Sequence, residues 1–271
     1  MSRATARSVA LEVLLAVRAS DAYANLLLPA RIVRAGLSPQ DAALATELTY
    51  GTLRGRLLYD AVIARAAKRP VSRIDPDVLD LLRLGVHQLL ATRIPAHAVV
   101  DESVRLATGA LRKRSASGFV NGVLRAVARE DPATWRERAV EGRSGDDALA
   151  VRFAHPAWIV AALRDALARE GRTGELEALL TADNDAPRVA LVALPGLAAP
   201  EGLGEPARVS PVAALAPAGD PARVPAVIEG RARVQDEGSQ LAALALSRAR
   251  PVRAGERWLD LCAGPGGKAA L

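Results

Sequence analysis

The sequence predicts a multi-domain protein: an all-α domain first, a small α+β subdomain next, and then the start of an α/β domain of nucleotide-binding type. Three observations predict it. Apolar residues recur at helical spacing from Ser2 to about Glu130, with no strand-like alternation. Prolines and glycines then crowd residues 196–230, where loops and short strands are expected. The chain closes on "RWLDLCAGPGGKAAL", a pattern of strand, glycine turn and helix start. The corresponding boundaries are 1–135, 146–235 and 236–271.

In "ATARSVALEVLLAVRAS", Val9, Val13, Leu14 and Val17 share one face, while Glu12 and Arg18 interrupt the apolar run. That is an amphipathic helix, not a signal peptide or membrane anchor. A second helix covers about Ala24 to Ala35 and stops at Gly36. Ser38 and Pro39 cap a third over "QDAALATELTYGTLRGRLLYDAVIARAA". Asp75 and Pro76 open the next, with Leu79, Leu82, Val86 and Leu89 as its buried row. "PAHAVVDESVRLATGAL" and "SASGFVNGVLRAVARE" bring the total to about six helices. From Asp131 to Gly145 the periodicity lapses into a charged linker with room for a short helix. Helices are expected at "HPAWIVAALRDALARE" and "TGELEALLTADN", and a strand at "PRVALVAL". A helix from Leu241 to Ala249 then leads through Pro251 to the strand "RWLDLC".

Composition narrows the partners. No stretch approaches the roughly 20 apolar residues that span a bilayer, so no membrane partner is expected. One cysteine, Cys262, forms no internal disulfide and suits a reducing cytoplasm. With three scattered histidines it makes no zinc cluster, and no metal is expected. His87, His97 and His155 lack ligand spacing and read as structural. Met1 to Glu141 holds 21 Lys and Arg against 14 Asp and Glu, a net of +7, whereas Gly142 to Leu271 holds 15 against 16, a net of −1. Arginine's planar fork pairs with phosphate, so nucleic acid is the first partner to consider; an arginine-for-lysine composition is the alternative. Only eight residues are Phe, Tyr or Trp, which argues against a base-stacking platform. Arg112, Lys113 and Arg114 form the densest basic run, equally a solvated loop or a set of phosphate contacts.

Gly264, Gly266 and Gly267 let the backbone turn tightly and approach a ligand closely. The pattern is neither GxGxxG nor a phosphate loop, so taken alone it admits a ligand turn or a plain structural one. Asp260 is placed to orient the turn, and Asp236 and Glu237 to pack or cap near the following helix.

"LDLCAGPGGK", preceded by "VQDEGSQLAA", resembles the S-adenosyl-L-methionine motif of the RNA 5-methylcytosine methyltransferases of the Sun/Fmu type, with Gly264 where alanine is commoner. "FAHPAWIV" is similar to that family's HPxW segment. "HAVVDESVRLA" and "GFVNGVLRAVARE" are similar to its N-terminal domain, which has the fold of the antitermination factor NusB. The resemblance implies a NusB-like helical domain, an α+β RNA-binding subdomain and the start of a Rossmann-like methyltransferase domain. It implies S-adenosyl-L-methionine as cofactor, held by Cys262, Ala263, Gly264, Pro265, Gly266, Gly267 and Lys268, and small-subunit ribosomal RNA as partner. In the family one cysteine adds to cytosine C6, which makes C5 nucleophilic toward the methyl group, and a second assists release. Those cysteines belong to PC and TC motifs expected beyond Leu271, as is the ribose-binding acid roughly 20 residues past the turn. Cys262 sits inside the cofactor motif and is not the nucleophile. On this reading the chain is an N-terminal portion of the enzyme, inactive alone. The alternative is a non-enzymatic NusB-like RNA-binding or antitermination module.

Overall fold

The structure is a computed structural model that describes residues 4–20, 22–185, 188–217, 219–261, 263–264 and 266–271. The chain forms two compact units, Met1–Asp185 and Ala186–Leu271. In the first, α1 (Ala6–Ser20), α2 (Ala24–Ala35), α3 (Pro39–Arg54), α4 (Arg56–Ala66), α5 (Pro76–Ala91), α6 (Ala96–Thr108) and α7 (Ser117–Val127) precede α8 (Pro132–Val140), α9 (Gly145–Arg152), α10 (Ala157–Arg169) and α11 (Leu176–Ala182). Three helices start by one device. Ser38, Asp75 and Asp131 accept hydrogen bonds from amides of the first turn, and a proline follows each. Gly36 closes α2 at φ 60°, the left-handed conformation glycine adopts without strain.

The centre of this unit is α5, which is buried on almost every side. Leu81, Leu82, Leu84 and Val86 lie in the main apolar cluster with Leu11, Leu48, Ile63 and Leu124. The same helix buries Asp80, Arg83, His87 and Gln88, each of which needs an internal partner. Arg83 finds Asp60 and Asp80, and Gln88 accepts from Arg7 at 2.7 Å. Of the expected buried row, Leu79, Leu82 and Val86 are buried and Leu89 partly so.

One expectation needs correction. The long third helix breaks at Gly55 into α3 and α4, giving seven α-helices among the described residues before Glu130 instead of about six. The Tyr59 ring presses on that glycine, 2.3 Å from where a Cβ would stand. The charged segment expected to have room for a short helix contains α8, whose Trp135 is 4% exposed. Periodicity missed α8 because only Trp135 and Ala139 of its nine residues are buried. Next to it, α9 turns Val151 toward the main cluster and Ala150 toward a smaller one with Val160, Leu167, Leu176 and Leu180.

His87 enters the core beside Gly51, where a Cβ would lie 2.2 Å from the ring. Its Nδ1 is 2.9 Å from the Tyr59 hydroxyl, and its Nε2 is 3.5 Å from Glu47. Burial holds the imidazole below its ordinary value of 6.5, against the pull of Glu47, and pushes Tyr59 from 10.0 up to about 12. The unfolded chain therefore takes up the histidine proton first as pH falls, and releases the tyrosine proton first as pH rises. Urea midpoints of the parent should decline as pH drops below 6.5 and as it climbs from 10.0 toward 12. His87→Phe should flatten the onset on the acid side; an unchanged acid slope in that variant would contradict the assignment.

The second unit holds β1 (Ala190–Ala193), β2 (Glu205–Pro206), β3 (Ala213–Leu215), α12 (Pro225–Ile228), β4 (Ala232–Val234) and α13 (Glu237–Arg248). Its sheet has the order β2-β3-β1-β4 with every pair antiparallel; Leu191 faces Ala214 on one side and Val234 on the other. Leu191, Ala193, Leu203, Ala214, Ala226 and Ala232 form the core. The expected strand "RWLDLC" does not form over its described part, 257–261, and near Lys268 there is a single turn in which Ala270 N–H donates to Gly266 O at 3.0 Å. A lone strand cannot satisfy its backbone, and among the described residues none pairs with this one, so no parallel sheet is present.

Candidate cofactor turn and nucleic-acid interface

The segment "VQDEGSQ", 234–240, builds the platform beside the glycine turn. The Gln235 amide donates to Ala190 O and so continues the pairing of β4 with β1 for one more residue. Asp236 then leaves the sheet and caps α13, its carboxylate accepting from Gly238 N at 3.0 Å. Helix α13 thus starts earlier than the expected Leu241. Glu237 Oε2 accepts from the amides of Val209 and Ser210 at 2.7 and 2.8 Å. These backbone donors hold its carboxyl below the usual carboxylate range. Gln240, fully buried, donates to Gln235 O and accepts from Ser210 Oγ. Asp236 and Glu237 therefore have the capping and packing roles expected of them.

The glycine turn lies against this platform. Gly264 and Gly266 adopt φ 54° and 84°, a region that strains any other residue here. Ala263 O accepts the Gly266 amide at 2.8 Å, and Arg233 Nη1 donates to Gly266 O at 3.4 Å. Gly267 stands over Gln235, and Lys268 is exposed. Cys262 and Pro265 of the expected cofactor set lie outside the described residues. Asp260 is exposed. Arg233, Gln235 and Ser210 carried no individual signal; Gln235 could be found only as part of the motif.

In the helical unit, Arg112, Lys113 and Arg114 occupy the α6–α7 connection. The turn is tied down by Leu111 N to Leu106 O and Lys113 N to Ala107 O, which leaves Arg112 at φ 54°. Arg112 and Arg114 are exposed. Lys113 is not free: its Nζ donates to Asp75 at 2.5 Å and to Asp77 at 2.8 Å, and the ammonium draws the Asp75 carboxyl below its ordinary value. Asp77 and Asp80 also accept from Arg18, and Asp80 from Arg83, so a charged network runs from the surface loop to the buried centre of α5. The basic run separates into two outward arginines and one structural lysine. Beside it, between α6 and α7, lies an open cleft of about 440 Å³ lined by Asp101, Arg105, Ser117 and Asn121.

Residues 4–129 match the model of the NusB family. The matched stretch lies within the helical unit. Over nearly its whole length the chain is also homologous to RNA-modifying proteins. It is 35% identical over 275 residues to the ribosomal RNA small subunit methyltransferase B of Pseudomonas putida, with 97% of this chain and 58% of that protein covered. A Mycobacterium tuberculosis (strain H37Rv) protein named as a methyltransferase is 50% identical over 273 residues, covering 98% of this chain and 59% of its own length. The chain thus spans about 59% of the length of such curated relatives. The crystal structure of PH0851 matches with a TM-score of 0.60 at 14% identity, over 91% of this chain and 56% of that one, which is a likeness of fold. These methyltransferase homologues and the NusB match agree with the family named from the motifs, the coarser part of that expectation.

Proposed function

We propose that this chain is the RNA-binding and cofactor-loop portion of an S-adenosyl-L-methionine-dependent enzyme that methylates cytosine C5 in small-subunit ribosomal RNA. The observation that carries the reading is the glycine turn seated on the Arg233–Gln235 face, in a chain whose curated homologues are named as methyltransferases. The turn suits the cofactor: left-handed Gly264 and Gly266 expose backbone with no Cβ in the way, and a buried carboxamide without partners among the described residues stands beside Gly267. When bound, the cofactor supplies the methyl group. What these residues contribute is binding and orientation. Cys262 to Lys268 hold one side of the cofactor, with Cys262 a small thiol in the turn and no nucleophile. The three-part division at 1–135, 146–235 and 236–271 describes functional segments on this proposal: RNA-binding helices, a linking segment and the first piece of the methyltransferase domain.

The NusB domain would present Arg112 and Arg114 to phosphate, with Lys113 fixing their loop on α5. Arg112→Ala with Arg114→Ala is expected to weaken binding of unrelated structured RNAs alike, by several-fold in filter binding at low salt, and to reduce the salt dependence. Equal affinity in a folded double variant would leave the run as a solvated loop. Transfer of labelled methyl to small-subunit ribosomal RNA tests the enzyme reading. The 271-residue chain should transfer none, and the chain joined to a segment with the PC and TC motifs should methylate cytosine and retain much of that activity with Cys262→Ala. Absence of transfer by the joined protein would favour the second reading, the RNA-binding module that the NusB match also supports.

A further inference from the structure

Within 234–240, the Asp236, Glu237 and Gln240 side chains have found partners and the buried Gln235 side chain has not. Asp236 caps α13, Glu237 holds the Val209 and Ser210 amides, and Gln240 bridges Ser210 Oγ and Gln235 O. The Gln235 side chain is 8% exposed, and neither Oε1 nor Nε2 has a hydrogen-bond partner among the described residues. A buried carboxamide left unpaired is destabilising, so its retention points to something polar that closes onto it.

What faces it is the glycine turn. Alternation along a strand puts Arg233 and Gln235 on the same face of extended β4. Arg233 Nη1 already donates to Gly266 O, and a Cβ on Gly267 would stand 3.9 Å from Gln235 Nε2. Gly266 already uses its N–H on Ala263 O and its carbonyl on Ala270 N–H and Arg233, so the backbone polar groups that face Gln235 are the N–H and carbonyl of Gly267. A carboxamide is suited to both, since it donates through Nε2 and accepts through Oε1.

We propose that Gln235 is the positioning residue of the cofactor turn: its carboxamide, unpaired here and facing Gly267, closes onto the Gly267 backbone, donating to a turn carbonyl and accepting from a turn N–H. Together with Arg233 it fixes the left-handed turn on the edge of the sheet. The inference rests on the proposed function for what the turn binds, while the clamp is a property of this chain.

Amide hydrogen exchange on the 271-residue chain tests it with two substitutions. Gln235→Met keeps length and approximate volume and removes both hydrogen-bonding atoms; Gln235→Glu keeps an acceptor beside Arg233. The parent should protect amides within 264–268, and Gln235→Met should lower that protection at least about tenfold while leaving Ala190–Ala193 and Ala232–Val234 as they were. Gln235→Glu should restore part of it. A residue that merely fills space predicts the reverse order, with Met tolerated and the buried charge disruptive, and that result overturns the proposal. So does an unprotected turn in the parent, an unchanged turn in Gln235→Met, or a loss spread through the whole sheet. Methyl transfer by the joined protein is read separately: failure there with the exchange effect present removes the cofactor reading and leaves the clamp.

Discussion

Trp135→Ala is expected to destabilise the helical unit by about 3–5 kcal/mol, the range for deleting a buried indole from a close-packed core. Trp135 belongs to the main apolar cluster, its Nε1–H donates to Val127 O at 2.8 Å, and the Arg138 guanidinium lies over its ring. The substitution opens a cavity and also removes the shorter of two hydrogen bonds to the Val127 carbonyl at the end of α7, leaving the Glu130 amide at 3.4 Å. Trp135→Phe keeps much of the ring and loses the hydrogen bond, so about 1 kcal/mol is expected for the bond, plus a smaller packing loss. Urea unfolding followed by helical circular dichroism reads both as shifts of the midpoint at constant slope. A loss below about 1 kcal/mol for Trp135→Ala would mean that α8 is a surface appendage after all.

Arg83→Met should cost a comparable amount, about 3–5 kcal/mol, because it leaves buried carboxylate charge without its counter-ion. Arg83 meets Asp60 in a two-pronged contact at 2.6 and 2.7 Å and Asp80 at 2.8 Å; Asp80 itself is 4% exposed. With Arg83 gone, Asp80 keeps Arg18, while Asp60 loses both of its contacts with Arg83. The second variant decides the cause. Replacing charge and counter-charge together, Arg83→Met with Asp60→Leu, removes the carboxylate that Arg83 had paired through both oxygens and should recover most of the loss in the same urea assay. If the double variant is no more stable than Arg83→Met, the cost comes from packing around α5 and not from uncompensated charge.

These two positions show what kind of information a linear reading can hold. The helices with a clear apolar row or a cap followed by proline were legible from local chemistry, because Ser38 and Asp75 bond amides only two or three residues away. The short strands after Gly196 were legible from the proline and glycine spacing. Helix α8 was not: it is anchored by two residues whose burial depends on α4 and α7. Gly55 was not either, since an isolated glycine says nothing about the ring of Tyr59 folding back over it.

At the two candidate surfaces the division is the same. The motif "VQDEGSQ" with "CAGPGGK" marked where a cofactor turn belongs, because glycine permits backbone conformations that other residues resist, and that property resides in the residue type. The basic run at 112–114 marked positive charge, also a property of residue type. Which charges are available is a matter of distance: Asp75 and Asp77, far back in the chain, reach Lys113 and leave Arg112 and Arg114 to solvent. Likewise Gln235 is one polar residue among several in its motif until the sheet buries it and supplies partners to its neighbours alone. Residue type sets what a side chain can do, within a few residues' reach; neutralisation, burial and the lack of a partner are relations between groups distant in sequence, and only the packed chain creates them.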